Sequence, residues 1–180
     1  MIETPRLRLI PCEPRHFEAI LAADRGRLGR MLGVAVPDDG LDFSGTASTE
    51  TIRSLHEQLK ADPAVLGWWM YHFVHAEDEV LVGQGGYKGR PDEAGRVEIG
   101  YAIVPAYRRR GLATEVARGL IDNAFAHAHV KRVEARTLAE RNASTRVLER
   151  VGMGIAGTAN DPELGEVWRW TLQRADFRPG

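Results

Sequence analysis

Residues 103 to 114 read Ile103-Val104-Pro105-Ala106-Tyr107-Arg108-Arg109-Arg110-Gly111-Leu112-Ala113-Thr114. An apolar run ends at Pro105, a short basic segment follows, and from Gly111 onward apolar residues recur with helical spacing. The stretch therefore predicts a strand, a loop and the start of a long helix. The first turn of such a helix leaves about four backbone N–H groups without partners and carries about half a positive charge. Gly111 and Ala113 are too small to cover these groups, so an anion could rest on them.

The basic segment adds three arginines beside these N–H groups: Arg108, Arg109 and Arg110. Together they describe a cradle for a diphosphate. Neither a Gly-Lys-Ser/Thr P-loop nor a Gly-x-Gly-x-x-Gly dinucleotide pattern is present. Two alternatives stay open from the residues alone: a solvated basic loop before a core helix, and a contact to nucleic acid. The second is disfavoured because the net charge is −1 and no wider basic face accompanies the arginines.

Hydrophobic patterning on either side of this stretch predicts the remaining elements. Strands are predicted near residues 6–10, 68–74, 80–87, 97–104, 133–138, 153–158 and 166–172, and helices near 14–22, 48–59, 111–125 and 143–151, with a loop over 33–45. This order predicts an α+β fold with a mixed sheet. In the strand at 97–104 the odd positions are large and the even ones include Glu98, Gly100 and Ala102, so its two faces differ.

Composition limits the class of protein. The 180 residues carry 24 Lys and Arg against 25 Asp and Glu, and 43% are hydrophobic. We expect one domain over residues 1–180 that binds neither nucleic acid nor a membrane surface. No secretory signal or membrane span is visible, so a cytoplasmic location is expected. The only cysteine, Cys12, excludes an internal disulfide and is interpreted as a small core residue. His72 and His75 fall on opposite faces of a strand, and no metal site is predicted.

Three segments resemble a known family. Residues 108–113 match the Arg/Gln-x-x-Gly-x-Gly/Ala signature of the GNAT superfamily of N-acetyltransferases, and Tyr107 and residues 98–101 fit it as well. The segments Thr4-Pro5-Arg6-Leu7-Arg8-Leu9 and Asn142 to Met153 resemble its ribosomal-protein N-terminal acetyltransferase branch. The resemblance covers residues 4–172, with the motifs in the expected order.

The resemblance implies a GNAT-like, acyl-CoA N-acyltransferase fold: a twisted mixed sheet with flanking helices, splayed between the fourth and fifth predicted strands (97–104 and 133–138). It implies transfer of an acetyl group from acetyl-CoA to a primary amine, on a protein N-terminus or a small molecule, by direct attack in a ternary complex. No metal is implied, and a homodimer is allowed. The alternative is a non-catalytic acyl-CoA-binding or sensory module that keeps the cradle without the chemistry.

The resemblance also assigns the cofactor-binding residues. Pantetheine would lie in the splay against the backbone of Tyr101, Ala102 and Ile103, and the Ile103 N–H would stabilise the thioester oxygen. The diphosphate would rest beside Arg108 on the N–H groups of Arg109, Arg110, Gly111, Leu112 and Ala113. Asn142 would contact pantetheine or serve as the N-cap of the helix that follows it.

Glu98 is the candidate general base, because an alkylammonium with a pKa of about 10 must lose a proton before it attacks. The alternative is a solvent-facing strand residue. Ser144 is the candidate acid or CoA contact, since Leu148 stands where many family members have tyrosine. Otherwise Ser144 is a first-turn helix hydroxyl, and a thiolate with a pKa of about 8.5 can leave without an acid.

The acceptor side is less well defined by the sequence. Three loop acids could attract a cationic amine, and the alternative is that they are simply solvated: Asp38, Asp39 and Asp42. Trp68 and Trp69 are adjacent in a predicted strand, so we expect at most one to line the acceptor pocket and the other to lie in the core.

Overall fold

The computed structural model describes residues 1–38, 48–162 and 165–179. The strands are β1 (Ile2–Glu3), β2 (Leu7–Pro11), β3 (Met70–His75), β4 (Val80–Tyr87), β5 (Arg96–Ile103), β6 (Arg132–Leu138), β7 (Gly154–Asp161) and β8 (Gly165–Gln173). The helices are α1 (Pro14–Leu21), α2 (Arg25–Leu32), α3 (Thr49–Ala61), α4 (Leu112–Ala126) and α5 (Ala143–Arg150). The strands form one mixed sheet in the order β1-β2-β3-β4-β5-β6-β8-β7, which confirms the α+β prediction.

The prediction of only two helices before β3 was wrong, because α2 was missed. This segment contains two glycines and three arginines, and Leu28 is its one buried side chain. It therefore lacks the apolar stripe that reveals a helix in a sequence. Its ends are set by capping: Asp24 accepts a hydrogen bond from the Arg27 N–H at 2.8 Å, and Gly33 ends the helix with a φ of 68°.

Helices cover both faces of the sheet. On one face, α4 and α5 pack against alternate residues of β5 and β6, including Val97, Ile99 and Val133. On the other face, α1, α2 and α3 contribute Phe17, Leu28 and Ile52 to a second core with β3 and β4. The small even-numbered residues of β5 belong to neither core. We call their side of the sheet, where α1 to α3 pack, the α1–α3 face.

The sheet is splayed where the resemblance implied. β5 and β6 pair in parallel over three positions only, from Arg96 with Arg132 to Glu98 with Glu134. Beyond Glu98, β5 continues to Ile103 beside β4, whereas β6 continues to Leu138 beside β8. The two strands therefore diverge and leave a slot between their facing edges. Among the described residues, no helix has the length and apolar character needed to cross a membrane.

Candidate active site

The loop before α4 presents unpaired backbone N–H groups. Arg109 and Gly111 both adopt left-handed backbone conformations, with φ of 61° and 81°, which curls the chain into a concave nest. Within the described residues, no acceptor bonds the N–H groups from Arg109 to Thr114, and the first helical bond runs from Glu115 N to Gly111 O at 3.1 Å. The expected anion cradle is open.

The three arginines beside the cradle differ in their surroundings. Arg108 donates from Nε to the Ile103 carbonyl at 2.8 Å, which ties the loop to the end of β5. The guanidinium of Arg110 lies over the Tyr107 ring, 4.5 Å from its centroid. Arg109 is exposed and contacts no polar group in the described part of the chain. Arg109 and Arg110 are therefore the two whose charge remains available to a bound anion.

Hydrogen bonds at the two ends of the β4–β5 pairing show which backbone groups face the slot. Lys88 N donates to Glu98 O at 2.8 Å, and Val104 N donates to Val82 O at 2.9 Å. The register between these bonds is unbroken. Residue pairs in an antiparallel ladder alternate between hydrogen-bonded and non-hydrogen-bonded pairs. The even-numbered residues of β5 therefore bond to β4, and the odd-numbered ones direct their N–H and C=O groups away from it.

The slot is therefore lined by backbone groups of Tyr101 and Ile103. The Ile103 carbonyl is already occupied by Arg108, which leaves the Ile103 N–H and both backbone groups of Tyr101 available. Ala102 differs from the other two expected pantetheine contacts, because it is register-paired with Gln84 and its backbone faces β4. Ala102 can therefore contribute to the slot only through its small side chain, which lies on the α1–α3 face.

Glu98 lies at the base of the slot and is held by two cations. Its side chain is only 15% exposed, so it is not the solvent-facing residue of the alternative interpretation. Lys88 Nζ lies 2.6 Å from one carboxylate oxygen, and Arg136 Nε lies 3.3 Å from the other. Gly100 and Ala102 share its face of β5 and leave space beyond it. A proton taken up by Glu98 would weaken both ion pairs.

The beginning of α5 confirms the capping interpretation of Asn142. Its side-chain oxygen accepts from Thr145 N at 3.1 Å, and Thr145 Oγ1 accepts from Asn142 N at 3.0 Å. The side-chain amide nitrogen of Asn142 has no partner within the described ranges and is free for a ligand. Ser144 is exposed in the first turn of α5, and Leu148 is buried in the core.

On the acceptor side, the prediction that Trp68 and Trp69 lie in a strand was wrong, because both residues precede β3, which begins at Met70. Trp68 is partly buried and packs against the core that contains α4, with its ring centroid 5.0 Å from that of Tyr87 and 4.9 Å from that of His127. Trp69 is half-buried, and its Nε1 is buried without a partner in the described segments. Asp38 forms an ion pair with Arg25. Asp39 and Asp42 lie outside the described residues.

Sequence reasoning missed a buried cluster of Cys12, His16 and His72. Potential ligand atoms of these three residues lie within 4.8 Å of one another. The Cys12-x-x-x-His16 spacing was the available signal. However, His16 Nδ1 accepts a hydrogen bond from Glu13 N at 3.1 Å, so the proton of neutral His16 belongs on Nε2, where a metal would need a lone pair. The donor set does not fit a metal in this arrangement.

Burial keeps all three groups of this cluster uncharged near neutral pH. It lowers the pKa of His72 to about 3, with the neighbouring His16 acting in the same direction. Burial also lowers the pKa of His16 and raises that of the Cys12 thiol. Cys12 is a small core residue, as predicted.

Comparisons with known proteins agree with this geometry. A family model described as an acetyltransferase (GNAT) domain matches residues 6–154. Among curated proteins, the chain is similar to YjdG, an uncharacterized N-acetyltransferase of Bacillus subtilis (strain 168). The two are 29% identical over 152 residues, which cover 84% of this chain and 88% of that protein.

Solved structures share the fold at low sequence identity. One is RimL, a ribosomal L7/L12 α-N-protein acetyltransferase in complex with coenzyme A, with a TM-score of 0.67, 14% identity and coverage of 96% of this chain and 97% of that one. Mutant forms of the spermidine/spermine N-acetyltransferase SpeG from Vibrio cholerae give a TM-score of 0.67, 13% identity and the same coverage. With the family match extending over most of the chain, this protein belongs to the GNAT acetyltransferase family and is an N-acetyltransferase.

Proposed function

We propose that this enzyme transfers the acetyl group of acetyl-CoA to a primary amine by direct attack in a ternary complex, with residues 1–180 acting as one cytoplasmic domain. The observation that carries the proposal is the row of unpaired N–H groups from Arg109 to Thr114 beside an open slot. A diphosphate and an extended amide chain need these two features side by side.

The donor would bind along the loop and the slot together. The diphosphate accepts hydrogen bonds from the N–H groups of residues 109 to 113, including Leu112 and Ala113, while Arg109 and Arg110 approach its oxygens. Pantetheine pairs with the free backbone groups of Tyr101. Asn142 contributes the amide nitrogen that its capping bond leaves unused. Arg108 acts indirectly, because its side chain fixes the loop to Ile103.

The proposed chemistry at the thioester depends on the donor lying in the slot between β5 and β6. Glu98 takes a proton from the acceptor ammonium through water, and the free amine attacks the thioester carbonyl. The Ile103 N–H stabilises the oxyanion, a contribution of about 3 kcal/mol for one such donor. A C–N bond forms and the C–S bond breaks. The CoA thiolate then takes a proton from Ser144 or from water.

The acceptor belongs to the class of primary amines. The structural neighbours are named for a protein α-amine in RimL and for spermidine and spermine in SpeG, so both kinds of amine belong in a substrate screen. The proposal allows a homodimer and does not require one.

The test combines donor binding with turnover. Calorimetry should show CoA binding, and thiol release from acetyl-CoA should depend on an added amine, screened over peptides with free N-termini, polyamines and amino acids. Failure to bind CoA would refute the site. Tight CoA binding without turnover on any amine would refute acetyl transfer and favour the acyl-CoA-binding module.

A further inference from the structure

A carboxylate on α4 joins the N-terminal segment to the cradle. Glu115 lies one turn into the helix, and its side chain is only 11% exposed. One oxygen accepts from Thr4 Oγ1 and from Arg6 N, both at 2.7 Å. The other accepts from Arg6 Nε at 2.8 Å and lies 2.7 Å from Arg6 Nη2. Burial acts to raise the pKa of Glu115, but the hydrogen bonds from Thr4 and Arg6 lower it overall.

The same arginine reaches the loop backbone. Arg6 Nη1 donates to the carbonyl oxygen of Arg110 at 3.0 Å, and Arg6 Nη2 lies 3.5 Å from the position of a Cβ atom on Gly111. The bonded carbonyl belongs to the peptide unit that joins Arg110 to Gly111. This unit lies between the two left-handed residues of the loop, Arg109 and Gly111. Arg6 therefore holds the centre of the nest from the side of β2.

The direction of that carbonyl fixes the direction of an N–H group. The peptide bonds of the described chain are trans, so the C=O of Arg110 and the N–H of Gly111 point in opposite directions. A carbonyl held by Arg6 leaves the Gly111 N–H directed away from Arg6. No acceptor in the described ranges bonds that N–H.

We propose that Thr4, Arg6 and Glu115 form a clamp that positions the Gly111 N–H for the diphosphate of the donor. Arg6 and Glu115 are positioning residues, because they act through the Arg110–Gly111 peptide. This inference rests on the proposed function. It also assigns a role in donor binding to the Thr4-Pro5-Arg6 motif, although this segment lies more than 100 residues before the loop that it holds.

The test uses Arg6→Lys, which keeps the charge but cannot bond Glu115 and the Arg110 carbonyl with one planar group. We expect the KM for acetyl-CoA to rise about 10-fold, as for loss of one hydrogen bond to a charged group, with kcat nearly unchanged. S-acetylpantetheine lacks the diphosphate, so kcat/KM with this donor should stay at the wild-type value. Glu115→Gln should act in the same direction and is the second variant if Arg6→Lys fails to fold.

The matched control is Arg96→Lys. Arg96 pairs its Nε with Asp92 at 2.9 Å and is 47% exposed, against 45% for Arg6, but it lies at the opposite end of β5 from the cradle. The control variant should keep the wild-type KM for acetyl-CoA and the wild-type kcat/KM with S-acetylpantetheine. An unchanged KM for acetyl-CoA in the clamp variants would overturn the proposal, and so would an equal loss with both donors, which indicates general destabilisation. A wild-type chain that bound no CoA would refute the proposed function itself.

Discussion

Arg136 on β6 places its Nε 3.3 Å from the Glu98 carboxylate on β5, so an ion pair spans the two strands as they separate. The last register pair between the strands is Glu98 with Glu134, two residues before Arg136. Arg136 also lies 3.5 Å from Asp161 on β7. The ion pair therefore closes the base of the slot and helps to hold the Glu98 carboxylate there.

The first prediction concerns Glu98 as the base. Glu98→Gln keeps the shape of the side chain but cannot accept a proton from an ammonium. We expect kcat to fall by at least about 100-fold, the lower range for loss of a general base, while the Kd for CoA changes little. Initial rates with a saturating amine and calorimetry with CoA measure the two quantities.

Glu134→Gln is the control for this substitution. Glu134 is the register partner of Glu98, is 20% exposed and is ion-paired with Arg132 at 2.9 Å. Loss of a charge at this position should leave kcat close to the wild-type value. Equal losses in the two variants would show that Glu98 acts only through the charge balance of the strands.

The second prediction concerns the backbone at the start of α4. Gly111→Ala forces a Cβ atom into a left-handed conformation, which costs about 1–2 kcal/mol of stability, and places a methyl group beside the cradle. We expect the Kd for CoA to rise about 10-fold, equivalent to about 1.4 kcal/mol. Denaturant unfolding and calorimetry check both effects.

Gly152→Ala separates strain from binding. Gly152 follows α5 with a φ of 86°, and no atom lies within 4 Å of an added Cβ. The Gly152→Ala variant should lose about as much stability as Gly111→Ala and should keep the wild-type affinity for CoA. If both alanine variants weakened CoA binding to the same extent, the cradle would not be the binding site.

The fold was predictable where periodicity and end signals agree. The strand, loop and helix from Arg96 to Ala126 follow from alternation, Pro105 and the spacing of apolar residues in α4. The missed helix α2 has capped ends and Leu28 as its one fully buried side chain, so no apolar stripe marked it. The two-residue strand β1 exists only through its pairing with Leu9 and Arg8, which a local pattern does not contain.

In the candidate site, the backbone features were predictable from the sequence and the side-chain partners were not. The open N–H groups follow from Gly111 and the helix after it. The partners of Glu98 are Lys88, directly after β4, and Arg136 in β6. The clamp joins Glu115 to Thr4 and Arg6 across a long sequence separation. Such contacts depend on which strands become neighbours, and this information is absent from any single segment.

The third prediction concerns pH and the buried His72. The unfolded chain protonates His72 below its ordinary pKa of 6.5, whereas burial holds the folded pKa at about 3. Between these values the unfolded state binds more protons, so the free energy of unfolding falls as the pH falls, by about 1.4 kcal/mol per pH unit from this group. This stabilisation of the folded state is fully present above pH 6.5. The lowered pKa of His16 adds to the same pH dependence.

His72→Leu removes this contribution. Both ring nitrogens of His72 lack hydrogen-bond partners among the described residues, so an apolar side chain of similar size should cost little at pH 7. We expect a shallower dependence of unfolding free energy on pH between 6.5 and 4, measured by urea denaturation. Identical slopes for the wild type and the variant would contradict the prediction.

The last prediction separates the two roles of Asn142. Its side-chain oxygen caps α5, and its amide nitrogen is the proposed contact to pantetheine. Asn142→Asp keeps an oxygen for the Thr145 N–H and removes the amide donor, so stability should hold while the Kd for CoA rises several-fold. Asn142→Ala removes both groups and should in addition lose about 1 kcal/mol of stability, the usual cost of an N-cap. If CoA affinity were unchanged in both variants while only alanine lost stability, Asn142 would be a cap alone, because its amide would then contribute nothing to the donor.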